Sequence, residues 1–153
     1  MSSVTERLRE LGIALPPPPK PVGSYAPVAT EGHIAWVSGQ IVVDAGTVVH
    51  PGLLDRDVPP DAAKDLARRA TLQALSALAQ ALGSLDRVRK ILRVVVFVAS
   101  SPGFVRQHEV ANGATDLLVQ LFGDAVRPAR IAVGVVGLPL NGPVEVEVIA
   151  AID

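Results

Sequence analysis

Arg130 closes the segment Arg127-Pro128-Ala129-Arg130, directly ahead of an apolar run. Its guanidinium is a planar fork that meets a carboxylate through two parallel hydrogen bonds, so holding a small anionic ligand is one use for it. The other is an ordinary ion pair with an acid at an edge strand. Glu145 lies in Val144-Glu145-Val146-Glu147. A carboxylate there either positions water and exchanges a proton or, like Glu147, solvates a strand face. Tyr25 is the single tyrosine; its hydroxyl faces a ligand or makes an ordinary interface hydrogen bond. Ser38-Gly39 follows a short apolar run. Glycine at a strand end lets backbone and ligand approach closely, or simply marks the passage from strand to turn. His33, His50 and His108 show no metal-ligand spacing. With no cysteine in the chain, disulfides, thiolate zinc sites and thiol nucleophiles are excluded. No cofactor or metal is expected.

The elements that must position these residues follow from periodicity. Val4–Leu11 reads as a short helix capped by Ser3 or Thr5, and Pro16–Pro19 as an extended polyproline link. Together they make residues 1–22 a leader lying across the domain. Tyr25–Thr30 and His33–Ser38 are strand candidates separated by the turn at Glu31-Gly32, and Ile41–Val43 is another. The stretch from Gly46 to Pro60 reads as loop. Asp61–Leu82 is the strongest helix, with Asp61 as cap, Gly83 as terminator and an apolar stripe of Leu72, Leu75, Leu78, Ala79 and Leu82. Lys64 and Arg68 fall near that stripe, so its first turns are expected to be less buried. Ile91–Ala99 is a β-branched run of the kind buried on both faces, under helices on one side and in a subunit interface on the other. Val105–Phe122 is a second helix, Arg130–Val136 a strand, Gly137–Pro143 a turn and Val144–Ala151 a strand of period two. Arg130 would then stand opposite Glu145 on the next strand. Two long helices on one face of a mixed sheet make the class α+β.

At 153 residues the chain is one domain with a real core. It is 49% hydrophobic but only 3% aromatic, so the core must be aliphatic, and surplus aliphatic surface favours an oligomer. A net charge of −1 with no basic stripe disfavours nucleic-acid binding. No apolar run approaches the roughly 20 residues of a membrane span, and the N-terminus lacks a signal-peptide core, so a cytoplasmic location is expected.

Four segments in order, Gly23-Ser24-Tyr25, Val37-Ser38-Gly39-Gln40-Ile41, Arg127-Pro128-Ala129-Arg130, and Leu138-Pro139 followed by Val144-Glu145-Val146-Glu147, resemble the RidA/YjgF family from Gly23 to the C-terminus. The resemblance implies a chorismate-mutase-like fold and homotrimers with three small-molecule sites in clefts between subunits. It implies hydrolysis of reactive enamine/imine intermediates to 2-oxo acids and ammonia, and the family has also carried the label of endoribonuclease. By this resemblance Arg130 holds the substrate carboxylate and Glu145 serves the reacting water or nitrogen. Tyr25, Ser38 and Gly39 line the cleft. The backbone of Ala132 can donate a hydrogen bond, although Ile131-Ala132 departs from the small polar residue and cysteine often found there. The family's polar residue on the second helix corresponds to Asn112 or, one turn earlier, His108; Asn112 is preferred. A non-catalytic carboxylate-binding or sensing trimer is the alternative. RNA cleavage is disfavoured by the lack of a basic groove and of paired histidines.

Overall fold

The alternation of valine and glutamate near the C-terminus decides the architecture, because it gives one strand a dry face and a wet one. The computed structural model describes residues 2–153, so the first residue of the leader lies outside the description. Strands β1 (Val28–Glu31), β2 (Ile34–Ile41), β5 (Val88–Ala99), β6 (Ala129–Val135) and β7 (Val144–Ile152) form a five-stranded sheet in the order β1-β2-β7-β5-β6. The short β3 (Val43–Asp44), which overlaps the end of the expected strand Ile41–Val43, pairs separately with β4 (Thr47–Val48), inside the stretch expected to be loop. Along β7, Val144, Val146, Val148 and Ala150 are buried, and the residues between them are half-exposed. The buried set packs beneath α2 (Pro60–Leu82), which with α3 (Gln107–Phe122), lying over β5 and β6, forms a layer on one face of the sheet. This is the expected α+β arrangement. Among the described residues no helix is long and apolar enough to cross a membrane.

Helix α2 differs from expectation at both its start and its stripe. Pro59 occupies the cap position with no side-chain hydrogen bond, and Asp61 sits in the first turn, where its charge suits the helix dipole but caps nothing. Gly83, at φ 83°, ends the helix in the left-handed region as expected. Ala63, Leu66 and Ala67 are buried, so the first turns pack as deeply as the later ones. Leu72 and Ala79 are only partly buried; the row that faces the core runs through Leu66, Ala70, Ala74, Leu75, Leu78 and Leu82. Helix α3 comes close to the start of α2, where Gly113 makes the room. A Cβ on Gly113 of α3 would lie 2.9 Å from the carbonyl carbon of Lys64, with the carbonyl oxygen nearer still.

The leader holds to the body at defined points. Helix α1 (Val4–Glu10) is capped by Ser3, not Thr5, in a reciprocal capping box with Glu6. The Thr5 amide instead donates to Asp86 Oδ1 at 2.9 Å. Leu8 is buried, Ile13 and Leu15 pack on the core, and Ser76 Oγ donates to the Pro16 carbonyl at 2.6 Å.

The strand limits move as well. Tyr25 lies ahead of β1, and β2 runs on through Ser38-Gly39 to Ile41. Those two residues therefore sit inside a strand, at an irregularity in its pairing with β7 between Val37 and Gln40. Strand order brings the largest change. β6 is an edge strand paired in parallel with β5, and β5 separates it from β7.

Candidate functional site

The expected neighbours Arg130 and Glu145 do not meet within one copy of the chain. Arg130 pairs with Val94 of β5, and Glu145 pairs with Phe97 of the same strand. An odd separation along a strand puts the two side chains on opposite faces. Three residues along β5 and two strand spacings across leave their Cα atoms roughly 14 Å apart. Arg130 faces the helices beside the buried Val94, whereas Glu145 faces away from them with the half-buried Phe97.

On the helix side, α3 supplies the partners of Arg130. Its Nη1 donates to Asn112 Oδ1 at 2.7 Å and to Thr115 Oγ1 at 3.1 Å. Both acceptors are neutral, and no carboxylate among the described residues forms an ion pair with it. The edge-strand position is thus as the alternative reading had it, without the acid. A cleft of about 270 Å³ opens here, lined by Asn112, Thr115, Asp116, Val119, Arg127, Pro128 and Arg130. Of the two candidates on α3, Asn112 is the one in contact with Arg130; His108 is exposed near the helix start. Thr115 carried no signal in sequence beyond its position one turn after Asn112. Ala132, on the same side of β6 as Arg130, is packed against the core.

Glu145 borders a second, larger groove of about 1210 Å³ that also reaches α2 and the leader. Tyr25, Ser38, Gly39 and Glu145 all line it. Gly39 makes the room: a Cβ there would lie 2.8 Å from Glu145 Cδ and closer still to Oε1. The local fold of β2 is pinned by Ser38, whose Oγ donates to the Ala26 carbonyl at 2.7 Å, and by Gln40, whose Nε2 donates to the Ser38 carbonyl at 2.8 Å. Half-burial pushes the Glu145 carboxyl above its ordinary range, and the charge of Glu147 adds to the shift. The rest of the groove is built from residues that sequence reasoning did not assign to the site. They are the leader from Ala14 to Val22, Arg69, Leu72 and Gln73 of α2, and Pro139-Leu140. None of the three histidines lines either cleft.

Comparison with known proteins agrees with this architecture. Residues 5–152 match the family model described as "YjgF/chorismate_mutase-like, putative endoribonuclease". The chain is 38% identical to protein TCP17 of Trypanosoma cruzi over 98% of its own length and 94% of that protein. It is 26% identical to a 2-iminobutanoate/2-iminopropanoate deaminase of Dermatophagoides farinae, covering 92% and 95% of the two chains. The crystal structure of a protein from Shewanella oneidensis MR-1, described in the same endoribonuclease terms as the family, superposes with a TM-score of 0.92 at 29% identity, over 99% of this chain and all of that one. A family match running almost end to end, on a sheet and helix layer shared with solved relatives, shows that the chain belongs to the RidA/YjgF family.

Proposed function

We propose that this protein hydrolyses reactive enamine/imine intermediates to 2-oxo acids and ammonia, at sites assembled between copies of a homotrimer. The observation that carries the reading is the state of Arg130, a guanidinium oriented by Asn112 and Thr115 and without a carboxylate partner among the described residues. A substrate carboxylate completes it. The carboxyl group best suited to proton transfer, Glu145, lies on the other face of the same molecule. A head-to-tail contact between copies joins one molecule's Arg130 cleft to another's Glu145 groove, and repetition of such a contact closes a ring. The sheet face opposite the helices carries Trp36, Ile131 and Val133 exposed, an apolar surface of the kind that subunit contacts cover. The deaminase of Dermatophagoides farinae supports the choice of reaction.

The chemistry asks for orientation more than for force, since a protonated imine is already electrophilic. Water adds to the C=N carbon and gives a proton to the Glu145 carboxylate. The carbinolamine nitrogen takes up that proton. The C–N bond breaks as the hydroxyl gives its proton to the Glu145 carboxylate and the C=O bond forms. Ammonia leaves the 2-oxo acid, and Glu145 then releases the proton to solvent. A carboxyl pKa above its ordinary range suits both halves of that exchange. Arg130 acts on binding and alignment, and Tyr25 and the Ser38-Gly39 backbone line the water's side.

Complementation tests the shared site. Arg130→Ala and Glu145→Gln proteins, each inactive alone in a coupled amino-acid-oxidase assay that follows imine lifetime, are mixed by unfolding and refolding. Random mixing restores roughly a quarter of the sites, because each site needs an intact half from each of two neighbours. No recovered activity in verified mixed oligomers would sink the composite site. A wild-type protein that binds 2-oxo acids through Arg130 and leaves imine lifetime unchanged would instead be a non-catalytic carboxylate-binding trimer.

A further inference from the structure

The groove beside Glu145 is much larger than the proposed chemistry needs. Pockets that take drug-sized ligands enclose roughly 300–1,000 Å³. At about 1210 Å³, this one holds far more than a three- or four-carbon imino acid fills. Part of its wall is formed by Leu15, the prolines 16–19, Val42 and Leu72.

Three features make this a formed wall and not slack. Helical period places Leu72 on the core stripe, yet it is only partly buried and lines the groove. The polyproline segment is stiff because each ring locks φ. It is also anchored, by Ser76 Oγ on the Pro16 carbonyl and by Leu15 on the core. The nearby ionic groups are satisfied or solvated: Arg69 Nη2 pairs with Asp44 at 2.6 Å, and Lys20 is exposed. The groove thus offers apolar surface and no unpaired buried cation that would compete with Arg130 for a carboxylate.

We infer that this part of the groove is a side-chain subsite, and that the substrates are imino acids bearing a bulky apolar substituent, aromatic or branched aliphatic, lying between Leu72 and the leader prolines. The inference rests on the proposed placement of the C=N carbon beside Glu145. With the carboxylate held by a second copy's Arg130 and the reacting carbon at Glu145, the rest of the groove is left to the substituent. A rigid, preformed wall gains affinity because little has to be ordered on binding.

Two measurements on the full chain test it. Imines are generated from alanine and from phenylalanine or leucine by an amino-acid oxidase, and kcat/KM is compared. The bulky imines should be favoured by at least about tenfold, since each methylene in an apolar pocket is worth about 10-fold or more. Leu72→Trp, which fills the groove, should lower the bulky-to-small ratio by about tenfold. Leu72→Gln, which keeps the size and loses the apolar contact, should lower it in the same direction if the larger residue disturbs folding. In parallel, calorimetry compares phenylpyruvate with pyruvate as bound ligands, a readout that needs no turnover. Tighter binding of phenylpyruvate that is lost in the Leu72 variants sustains the subsite, even if no imine is hydrolysed and the proposed reaction fails. Equal or weaker handling of the bulky compounds by wild type in both measurements overturns it. So does an equal loss for large and small compounds in both Leu72 variants.

Discussion

The Arg130 cleft and the Glu145 groove are opposites in nearly every physical respect. The first is small and polar and sits on an exposed edge strand, with its cation oriented by neutral side chains from α3. The second is large and mostly apolar, and its acid is half-buried and reluctant to ionise. A cation held without a counter-ion keeps its capacity to bind a carboxylate, whereas a carboxyl group moved out of water becomes better at exchanging a proton. The Arg130 and Glu145 side chains project from different faces of one sheet, with their Cα atoms roughly 14 Å apart. Their separation is what makes a second copy of the chain necessary to the proposed site.

The contrast is broken most severely at Arg130. Arg130→Ala removes two charge-assisted hydrogen bonds to the ligand, worth together about 4 kcal/mol, so kcat/KM should fall by about a thousandfold and 2-oxo acid binding should become undetectable by calorimetry. Its thermal midpoint should stay close to wild type, because the side chain is exposed. Glu145→Gln keeps shape and loses proton exchange. We expect kcat to fall by about a hundredfold while the affinity for a 2-oxo acid, set at the other half, changes little. A parallel loss of affinity would show that the halves are not separable in this way.

Two glycines sharpen the comparison further. A methyl group on Gly39 meets the end of the flexible Glu145 side chain, while one on Gly113 meets the backbone of α2. Gly39→Ala should therefore displace the carboxylate and lower activity about tenfold, at a cost in stability under about 1 kcal/mol. Gly113→Ala must push two helices apart and should lose about 3 kcal/mol in a denaturant titration. If Gly39→Ala proves the more destabilising of the two, its role in making room for the acid is wrong.

The smallest effect is in pH dependence. Because the Glu145 carboxyl is raised above its ordinary value of 4.5 in the folded protein, the folded state binds more protons than the unfolded state from that value upward. Stability is therefore lost as pH rises through this window. Glu145→Gln removes that loss. Its thermal midpoint should gain on wild type as pH rises above that value, and a constant difference across the range would contradict the sign.

Much of the fold can be read from the chain because its signals are local. The Val-Glu alternation predicts the two-faced β7, and the β-branched run predicts a buried strand, which the structure extends back to Val88. The family resemblance points to Asn112, with His108 as the alternative, and it is Asn112 that contacts Arg130. Errors fell where the competing signals were weak or remote. Asp61 has the right chemistry for a cap, but the preceding prolines begin the helix one residue earlier. Gly39 looks like a strand end because glycine usually is one; only the Glu145 side chain from β7 shows why the position must lack a Cβ.

By itself the sequence determined the secondary-structure periods, the aliphatic core, the family resemblance and the residue types able to hold a carboxylate or move a proton. Those properties follow from neighbours one to four positions apart. Only the tertiary structure decided that β5 stands between β6 and β7, that Arg130 and Glu145 face opposite ways, and that Leu72 and the leader prolines bound the groove. Strand order and helix rotation are set by contacts between distant segments, and a local pattern carries no record of which distant segment will be there to meet it.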